Sequence, residues 1–315
     1  MEMGYIGSLG KDKEIIEGNK NILIYGTGGY GEKIYRSLIY YNIEKQVTAF
    51  IDKSVQGKSN FMHGIPVISI EDAVRNYADF VVCIGGEALG KVKQLDLIQG
   101  MKNIHQIIFS TDCIRYGTEY GGFYIPEDYI KEGSIVYSFG IGEDLSFSEA
   151  VINAGGIVYA FDPTPKAVKY TKNHRLFTHS NFHFFPYGLS DTDGDECMYL
   201  PIRNDWVSAS VIQHESVDDK NCIKVNMRTI RTIMNQFGHK QMDVLKMDIE
   251  GSEFKVVKDL MDPNLEAINV KLVCMETHER FFESKKCIDD LYELMRNRGF
   301  YDIYGLPEEP TFIKI

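Results

Sequence analysis

The chain has no run approaching the roughly eighteen uninterrupted apolar residues that cross a bilayer, and no long stretch of lysines and arginines. It has a single tryptophan, Trp206, and no internal repeat or low-complexity tract. Its six cysteines (Cys83, Cys113, Cys197, Cys222, Cys274 and Cys287) include no C-x-x-C pair. Each absence excludes a class. Without a long apolar run no membrane span is expected, and a net charge of -11 without a basic run predicts no nucleic-acid partner. Scattered cysteines predict reduced thiols packed in cores rather than a disulfide frame or a zinc site. The opening residues, Met1-Glu2-Met3-Gly4, lack a charged-then-apolar leader, which reads as a cytoplasmic protein. Trp206 lies in a polar loop, where it either covers a ligand or is a half-buried surface ring.

What is present supports two domains, since 315 residues with 44% apolar content can build two cores. The expected division is 1–112 and 113–315. In the first, the apolar run Ile22-Leu23-Ile24-Tyr25 precedes Gly26-Thr27-Gly28-Gly29-Tyr30-Gly31, a full G-x-G-x-x-G. Ile34, Leu38 and Tyr41 follow at helical spacing, and Val47 to Ile51 reads as a strand ending at Asp52. Phe80 to Cys83 and Gln106 to Phe109 read as further strands. The loop and Asp52 suit a nucleotide or nucleotide-sugar, or else a scaffold whose glycines only permit tight packing. A connector rich in glycine, tyrosine and charge runs from Thr111 to Gly133.

In the second domain, Ile135-Val136-Tyr137 reads as a buried strand that opens into Ser138-Phe139-Gly140-Ile141-Gly142-Glu143-Asp144. Ser146 to Glu149 has the spacing of a capping box, and Gly155 and Gly156 end the helix. Ile157 to Phe161 is the next strand. Asp162 closes it about twenty residues after Gly140, the span of a ribose-binding carboxylate. Phe182 to Tyr187 is a third strand, and a helix through Ile230, Ile233, Met234 and Phe237 stops at Gly238. Val244 to Asp248, a helix from Ser252 to Leu260, and Leu272 to Met275 continue the alternation. A helix through Ile288, Leu291, Leu294 and Met295 ends at Gly299, and Phe300 to Ile303 with Thr311 to Ile315 predict an antiparallel final pair. The pattern is α/β, a doubly wound sheet with ligand loops at strand C-termini.

Two strand ends carry candidate chemistry. Asp248 and Glu250 follow one, and Glu276 and His278 follow the next, so adjacent strands would set four polar groups around one crevice. Asp248 is the first choice for a catalytic or acceptor-orienting carboxylate, with Glu276 beside it. His278 is the better intrinsic base near neutral pH, its ordinary pKa being about 6.5. The oxygens of Asp248, Glu250 and Glu276 would suit magnesium or manganese, and His278 a softer metal. No complete ligand motif is visible, so no metal is expected. Glu250 and Glu253 also read as first-turn carboxylates that offset a helix dipole.

Together, Tyr137 to Gly142, Ala160-Phe161-Asp162-Pro163, Gly188-Leu189-Ser190-Asp191 and Asp243 to Glu253 resemble FkbM-type S-adenosylmethionine-dependent methyltransferases. The resemblance covers roughly residues 116 to 315, and its most specific element is the last motif. It implies a class I methyltransferase fold, with Gly140 and Gly142 near the methionine part of the cofactor, Asp162 on the ribose and Leu189 near the adenine. It also implies O-methylation of sugar-like or polyketide hydroxyls. Ser138 stands where the family often has an acidic residue, and Asp144 where it often has glycine. The first domain resembles the small Rossmann-like unit that precedes sugar acyltransferase domains. The expected activity is S-adenosylmethionine-dependent O-methylation of a saccharide, nucleotide-sugar or related metabolite. The alternatives are a nicotinamide-dependent oxidoreductase built on the first domain, which about ninety residues would barely accommodate, and a non-catalytic nucleotide-binding module.

Overall fold

The computed structural model describes residues 16, 18, 21–52, 60–85, 101, 103–107, 113–127, 129–203, 206, 208–282, 286–303 and 308–315. The chain forms two compact units, one within residues 1–112 and one of residues 113–314. No described helix is long and apolar enough to cross a membrane.

The first unit is a six-stranded sheet. Its strands are β1 (Ile22–Tyr25), β2 (Val47–Ile51), β3 (Asn60–Met62), β4 (Ile65–Ile68), β5 (Val81–Gly85) and β6 (Asn103–Ile107), in the order β3-β4-β2-β1-β5-β6. Helices α1 (Gly29–Tyr40) and α2 (Ile70–Asn76) accompany them. All neighbours run parallel except β3, which is antiparallel to β4. Six strands fit into a length expected to hold fewer because two are short and joined by the tight turn His63-Gly64. The strand expected at Gln106 to Phe109 begins earlier, at Asn103, and residues 108–110 lie outside the described residues.

The second unit opens with a hairpin, β7 (Cys113–Tyr116) and β8 (Phe123–Pro126), inside what the sequence presents as a connector. The main sheet contains β9 (Ile135–Phe139), β10 (Ile157–Phe161), β11 (Phe182–Phe185), β15 (Met242–Met247), β16 (Val270–Met275), β17 (Phe300–Asp302) and β18 (Thr311–Lys314). Their order is β11-β10-β9-β15-β16-β18-β17. The first five are parallel, whereas β18 is antiparallel to both β16 and β17. Counted one to seven along the chain, this is 3-2-1-4-5-7-6, the class I methyltransferase order. Helices α3 (Ser146–Asn153), α4 (Pro165–Asn173), α5 (Ile230–Phe237), α6 (Glu253–Leu260) and α7 (Lys286–Asn297) connect the strands.

Alternation along the strands fixes the layers. Tyr137, Phe139, Phe161, Leu245, Met247, Val273 and Met275 build one large core with Ile233, Val257 and Met295 from the helices. Burial of such side chains is worth roughly 1.5–3 kcal/mol each. The intervening residues Ser138, Ala160, Lys246 and Cys274 stand side by side on the other face. Three of them are small, which leaves room for the lysine.

Three expectations change. Ser146 to Glu149 does not form a capping box. Ser146 is the first helical residue and its N–H donates to Asp144 Oδ1 at 2.6 Å, while Glu149 pairs with Arg175. The stretch between 190 and 229 carries a long antiparallel hairpin, β13 (Gly194–Pro201) and β14 (Val217–Arg228), with the two-residue β12 (Gly188–Leu189) on its edge. Its polar, charged sequence conceals it, because exposed strands need no apolar alternation. Finally, Cys197 and Cys222 form a disulfide across this hairpin, with Cα atoms 5.7 Å apart. Their pairing follows from strand register, which residue spacing alone does not reveal. Cys83 and Cys274 are buried, and Cys113 and Cys287 are half-buried.

Closing a loop over the 25-residue separation of Cys197 and Cys222 is expected to stabilise the unit by about 3 kcal/mol. A Cys197→Ser, Cys222→Ser double variant should therefore melt several degrees lower in calorimetry. In thiol titration of denatured protein, reduction should release the two further thiols of Cys197 and Cys222. Six thiols before reduction would refute the bridge.

Candidate active site

Register brings the site together. Phe139 pairs with both Phe161 and Met247, and Met247 pairs with Met275. The next residues, Gly140, Asp162, Asp248 and Glu276, therefore leave four adjacent parallel strands at one level. This is the switch point of the sheet, where β10 and β15 diverge from β9 and a crevice opens. A cavity of about 230 Å³ lies there, lined by Gly140, Gly142, Asp162, Leu189, Asp248 and Glu276. Six of the seven residues expected to act on cofactor or acceptor thus share one cavity wall. The seventh, His278, is buried behind it at 1% exposure.

At one end the walls are Phe161, Pro163, Leu189, Met198 and Met227, an apolar slot to which the hairpin contributes both methionines. Asp162 is almost fully buried beside it. Its Oδ1 accepts from the Thr164 N–H at 2.8 Å and from the Thr164 hydroxyl, and its Oδ2 accepts from the Gly142 N–H at 3.0 Å. Burial raises its pKa despite these bonds and the nearby charge of Lys246. Gly140 has φ 72°, and a Cβ there would overlap the Asp248 carbonyl oxygen. The close approach that demands glycine is thus to the end of β15.

The other end is acidic. His278 Nδ1 lies 3.0 Å from Glu253 Oε1, and Nε2 faces Glu250 Oε2 at 3.3 Å, Glu276 Oε1 at 3.6 Å and Asp248 Oδ1 at 3.8 Å. Glu253 is itself wholly buried, with Oε1 accepting from Ile249 N–H and Oε2 from Gly251 N–H. Glu253 stands in the first turn of α6, as its spacing suggested, and from there also serves as a fixed strut beneath the histidine. Burial alone would lower the His278 pKa, but the Glu253 bond and the charges of Glu253, Glu250 and Glu276 outweigh it and raise it to about 9. These carboxylates favour the protonated imidazole at neutral pH, the opposite of the free base that its ordinary pKa suggested. Burial in turn raises the pKa of Glu250 and Glu276.

Two features escaped the sequence reading. Lys246 is 2% exposed, and its Nζ donates to the carbonyls of Gly140 at 2.6 Å and Phe139 at 3.2 Å, with Asp248 Oδ2 at 3.5 Å. It also lies over the Phe123 ring. A lysine inside the apolar run Val244-Leu245-Lys246-Met247 was the available signal. Asp144, where glycine is common, accepts from the Thr118 hydroxyl at 2.7 Å and so ties the 118–121 loop beside the cavity. Burial raises its pKa, yet bonds from Ser146 and Thr118 overcome this and lower it.

A profile of the Methyltransferase FkbM domain matches residues 134–301, just over half of the 315 residues. The chain belongs to the FkbM methyltransferase family. A PglD N-terminal domain profile matches residues 21–93 of the same FkbM chain. Probable methyltransferase-like protein 24 of Rattus norvegicus and of Homo sapiens are each 28% identical over 150 residues, 47% of this chain and 34% of theirs. The FkbM chain thus spans about a third of the length of these curated relatives. The Methanococcus jannaschii fibrillarin pre-rRNA processing protein aligns at TM-score 0.35 and 13% identity, over 59% of this chain and 67% of that one. Phosphoethanolamine N-methyltransferase 2 of Haemonchus contortus, in complex with S-adenosyl-L-methionine, aligns at TM-score 0.28 and 10% identity, over 90% and 79%. At these scores neither alignment carries weight.

S-adenosylmethionine is the cofactor of FkbM methyltransferases, and the cavity residues fit it. Asp162 Oδ2 takes one hydrogen bond among the described residues, while a carboxylate oxygen accepts two, so capacity for a ribose hydroxyl remains. The apolar slot suits an adenine. In the first unit, Asp52 Oδ2 accepts from both the N–H and the hydroxyl of Thr27, closing the glycine-rich loop on the end of β2.

The geometry yields two expectations. Gly140→Ala forces a side chain into a left-handed backbone and onto Asp248, so unfolding in urea should show a loss of at least about 1–3 kcal/mol. Unchanged stability would contradict the packing. The raised His278 pKa stabilises the fold fully below about pH 6.5, and that contribution fades as pH rises through about 9. In EDTA, urea stability should fall across this window, and less steeply in Glu253→Gln. Equal slopes would show that Glu253 does not set the titration.

Proposed function

We propose that this chain transfers a methyl group from S-adenosylmethionine to a hydroxyl of a saccharide, nucleotide-sugar or related metabolite. One observation carries the reading: cofactor-type and acid-base residues leave adjacent strands at one level and line one cavity. When bound, the cofactor supplies an electrophilic methyl carbon on a sulfonium sulfur. Gly140, Gly142, Asp162 and Leu189 hold its two ends in this reading. Asp248 and Glu276, at the acidic end, orient the acceptor hydroxyl and take its proton. His278, held by Glu253, is a positioning residue whose charge keeps the carboxylates of Asp248, Glu250 and Glu276 close together. Lys246 fixes the Phe139–Gly140 carbonyls and draws Asp248 toward them.

The cavity supports methyl transfer over hydride transfer, because residues of the second unit alone line it and none comes from the glycine-rich loop at 26–31. We also propose that this loop takes a nucleotide or nucleotide-sugar, which its G-x-G-x-x-G spacing and its closure on Asp52 support. A side chain at Gly28 would enter open space, so Gly28→Val should fold normally. Calorimetric titration with a nucleotide-sugar panel should find a ligand for wild type that this variant loses. No ligand in the panel would leave the loop as scaffold.

Labelled S-adenosylmethionine with purified chain and a panel of nucleotide-sugars and oligosaccharides tests the activity. Asp162→Ala should weaken S-adenosylhomocysteine about ten- to a hundredfold, the scale of a charge-assisted hydrogen bond. Asp248→Asn should keep that affinity within a few fold while turnover falls about a hundredfold. Full turnover by Asp248→Asn on an identified acceptor would remove it from the reaction.

A further inference from the structure

We infer that Asp248, Glu250 and His278 form a binding site for a divalent first-row cation, for which manganese is the probe, at the acidic end of the cavity. Each offers a ligand atom, and the three atoms lie within 4.8 Å of one another. His278 Nε2 is 3.3 Å from Glu250 Oε2 and 3.8 Å from Asp248 Oδ1. Ligands on bonds of about 2.1 Å are separated by about 3 Å in octahedral and about 3.5 Å in tetrahedral geometry. The two histidine–carboxylate spacings therefore lie within about an ångström of those in a coordination shell.

Three further observations point to a ligand here. Glu250 Oε2 is buried and, beyond its ion pair with His278 Nε2 at 3.3 Å, makes no hydrogen bond among the described residues. The hydroxyl of Ser252, a residue 1% exposed on the same cavity wall, is likewise buried without a hydrogen-bond partner among them. His278 has its Nδ1 held by Glu253, a fully buried carboxylate that two backbone N–H groups fix in place. A carboxylate behind the second ring nitrogen is the usual support of a metal-ligating histidine, because it sets the tautomer and aims the other nitrogen. Here Nε2 is aimed at three carboxylates, and the cation takes the place of the proton that otherwise sits among them.

Two carboxylate oxygens and one imidazole favour a first-row transition ion over calcium or magnesium, which prefer all-oxygen shells. Glu276, 3.6 Å from His278 Nε2, borders the site and would bond a coordinated water or hydroxyl. Binding of the ion is independent of any acceptor. Its role rests on the proposed methyl transfer: an acceptor hydroxyl on the ion would pass its proton more readily to Glu276, with Asp248 then serving as ligand, and a vicinal diol would bind through two oxygens.

The test is manganese binding by the full chain, stripped with EDTA and desalted, followed by the paramagnetic resonance of free Mn2+. About one equivalent should bind per chain, and pulsed spectra should show coupling to a histidine nitrogen. Asp248→Asn and Glu250→Gln, each checked for folding by circular dichroism, should weaken manganese at least tenfold while S-adenosylhomocysteine affinity stays within a few fold. Glu253→Gln should weaken it about ten- to a hundredfold. No binding at millimolar Mn2+, no nitrogen coupling, or equal binding by both carboxylate variants would overturn the site. Bound manganese with nitrogen coupling, but no methyl transfer to any saccharide, would uphold the site and defeat the proposed acceptor. Full transfer by metal-free protein that also binds no manganese would do the reverse.

Discussion

Parallel pairing without a register slip across β10, β9, β15 and β16 is the constraint on which the remaining structure depends. Hydrogen bonding between strands sets the height of every residue in a parallel sheet, and side chains alternate faces with period two. A slip of one residue in β15 would turn Met247 out of the core and lift Asp248 away from Gly140. The large apolar cluster resists this, since Tyr137, Phe139, Leu245 and Met247 would all lose their places together. Core packing thereby holds the cavity residues in position, although few of the core residues touch the cavity.

Charge is distributed along the cavity with the same economy. The acidic end concentrates Asp248, Glu250, Glu253 and Glu276 around His278, with Arg280 3.5 Å from Glu276 and Lys246 3.5 Å from Asp248. Buried carboxylates at such spacing repel unless cations or hydrogen-bond donors intervene. The chain supplies a histidine on a buried strut, a lysine anchored to two carbonyls, and backbone N–H groups at the start of α6. At the other end, Asp162 is held by N–H and hydroxyl donors from the turns that carry Gly142 and Thr164. The cavity therefore has one end suited to a flat apolar ring and another suited to polar oxygens.

Much of this was legible in the sequence because its signals are local. Apolar runs ending in glycine, aspartate or glutamate marked β9, β10, β15 and β16, and Gly238 and Gly299 marked helix ends. The antiparallel close of the sheet followed from two short runs with a polar loop between them. What was not legible depends on contacts between distant residues. The 197–222 disulfide requires the β13–β14 register, and that hairpin is hidden by its charged, exposed strands. Glu253 reads as an ordinary first-turn carboxylate until the fold buries it beneath His278. The histidine reads as a base until its neighbours are counted, because three close carboxylates reverse the effect of burial.

Gly140 contributes more than backbone freedom. Its α-carbon rests against the Asp248 carbonyl, so the glycine loop and the acidic strand end meet with no side chain to cushion them. Lys246 clamps the same joint, holding the carbonyls of Phe139 and Gly140 from β15. Two loops joined in this way behave as a single lever. A small displacement at the glycine end is passed directly to the carboxylate, so the two ends of the cavity cannot drift independently. Variation in natural or designed relatives of this chain is therefore expected to change residues 140, 246 and 248 as a set.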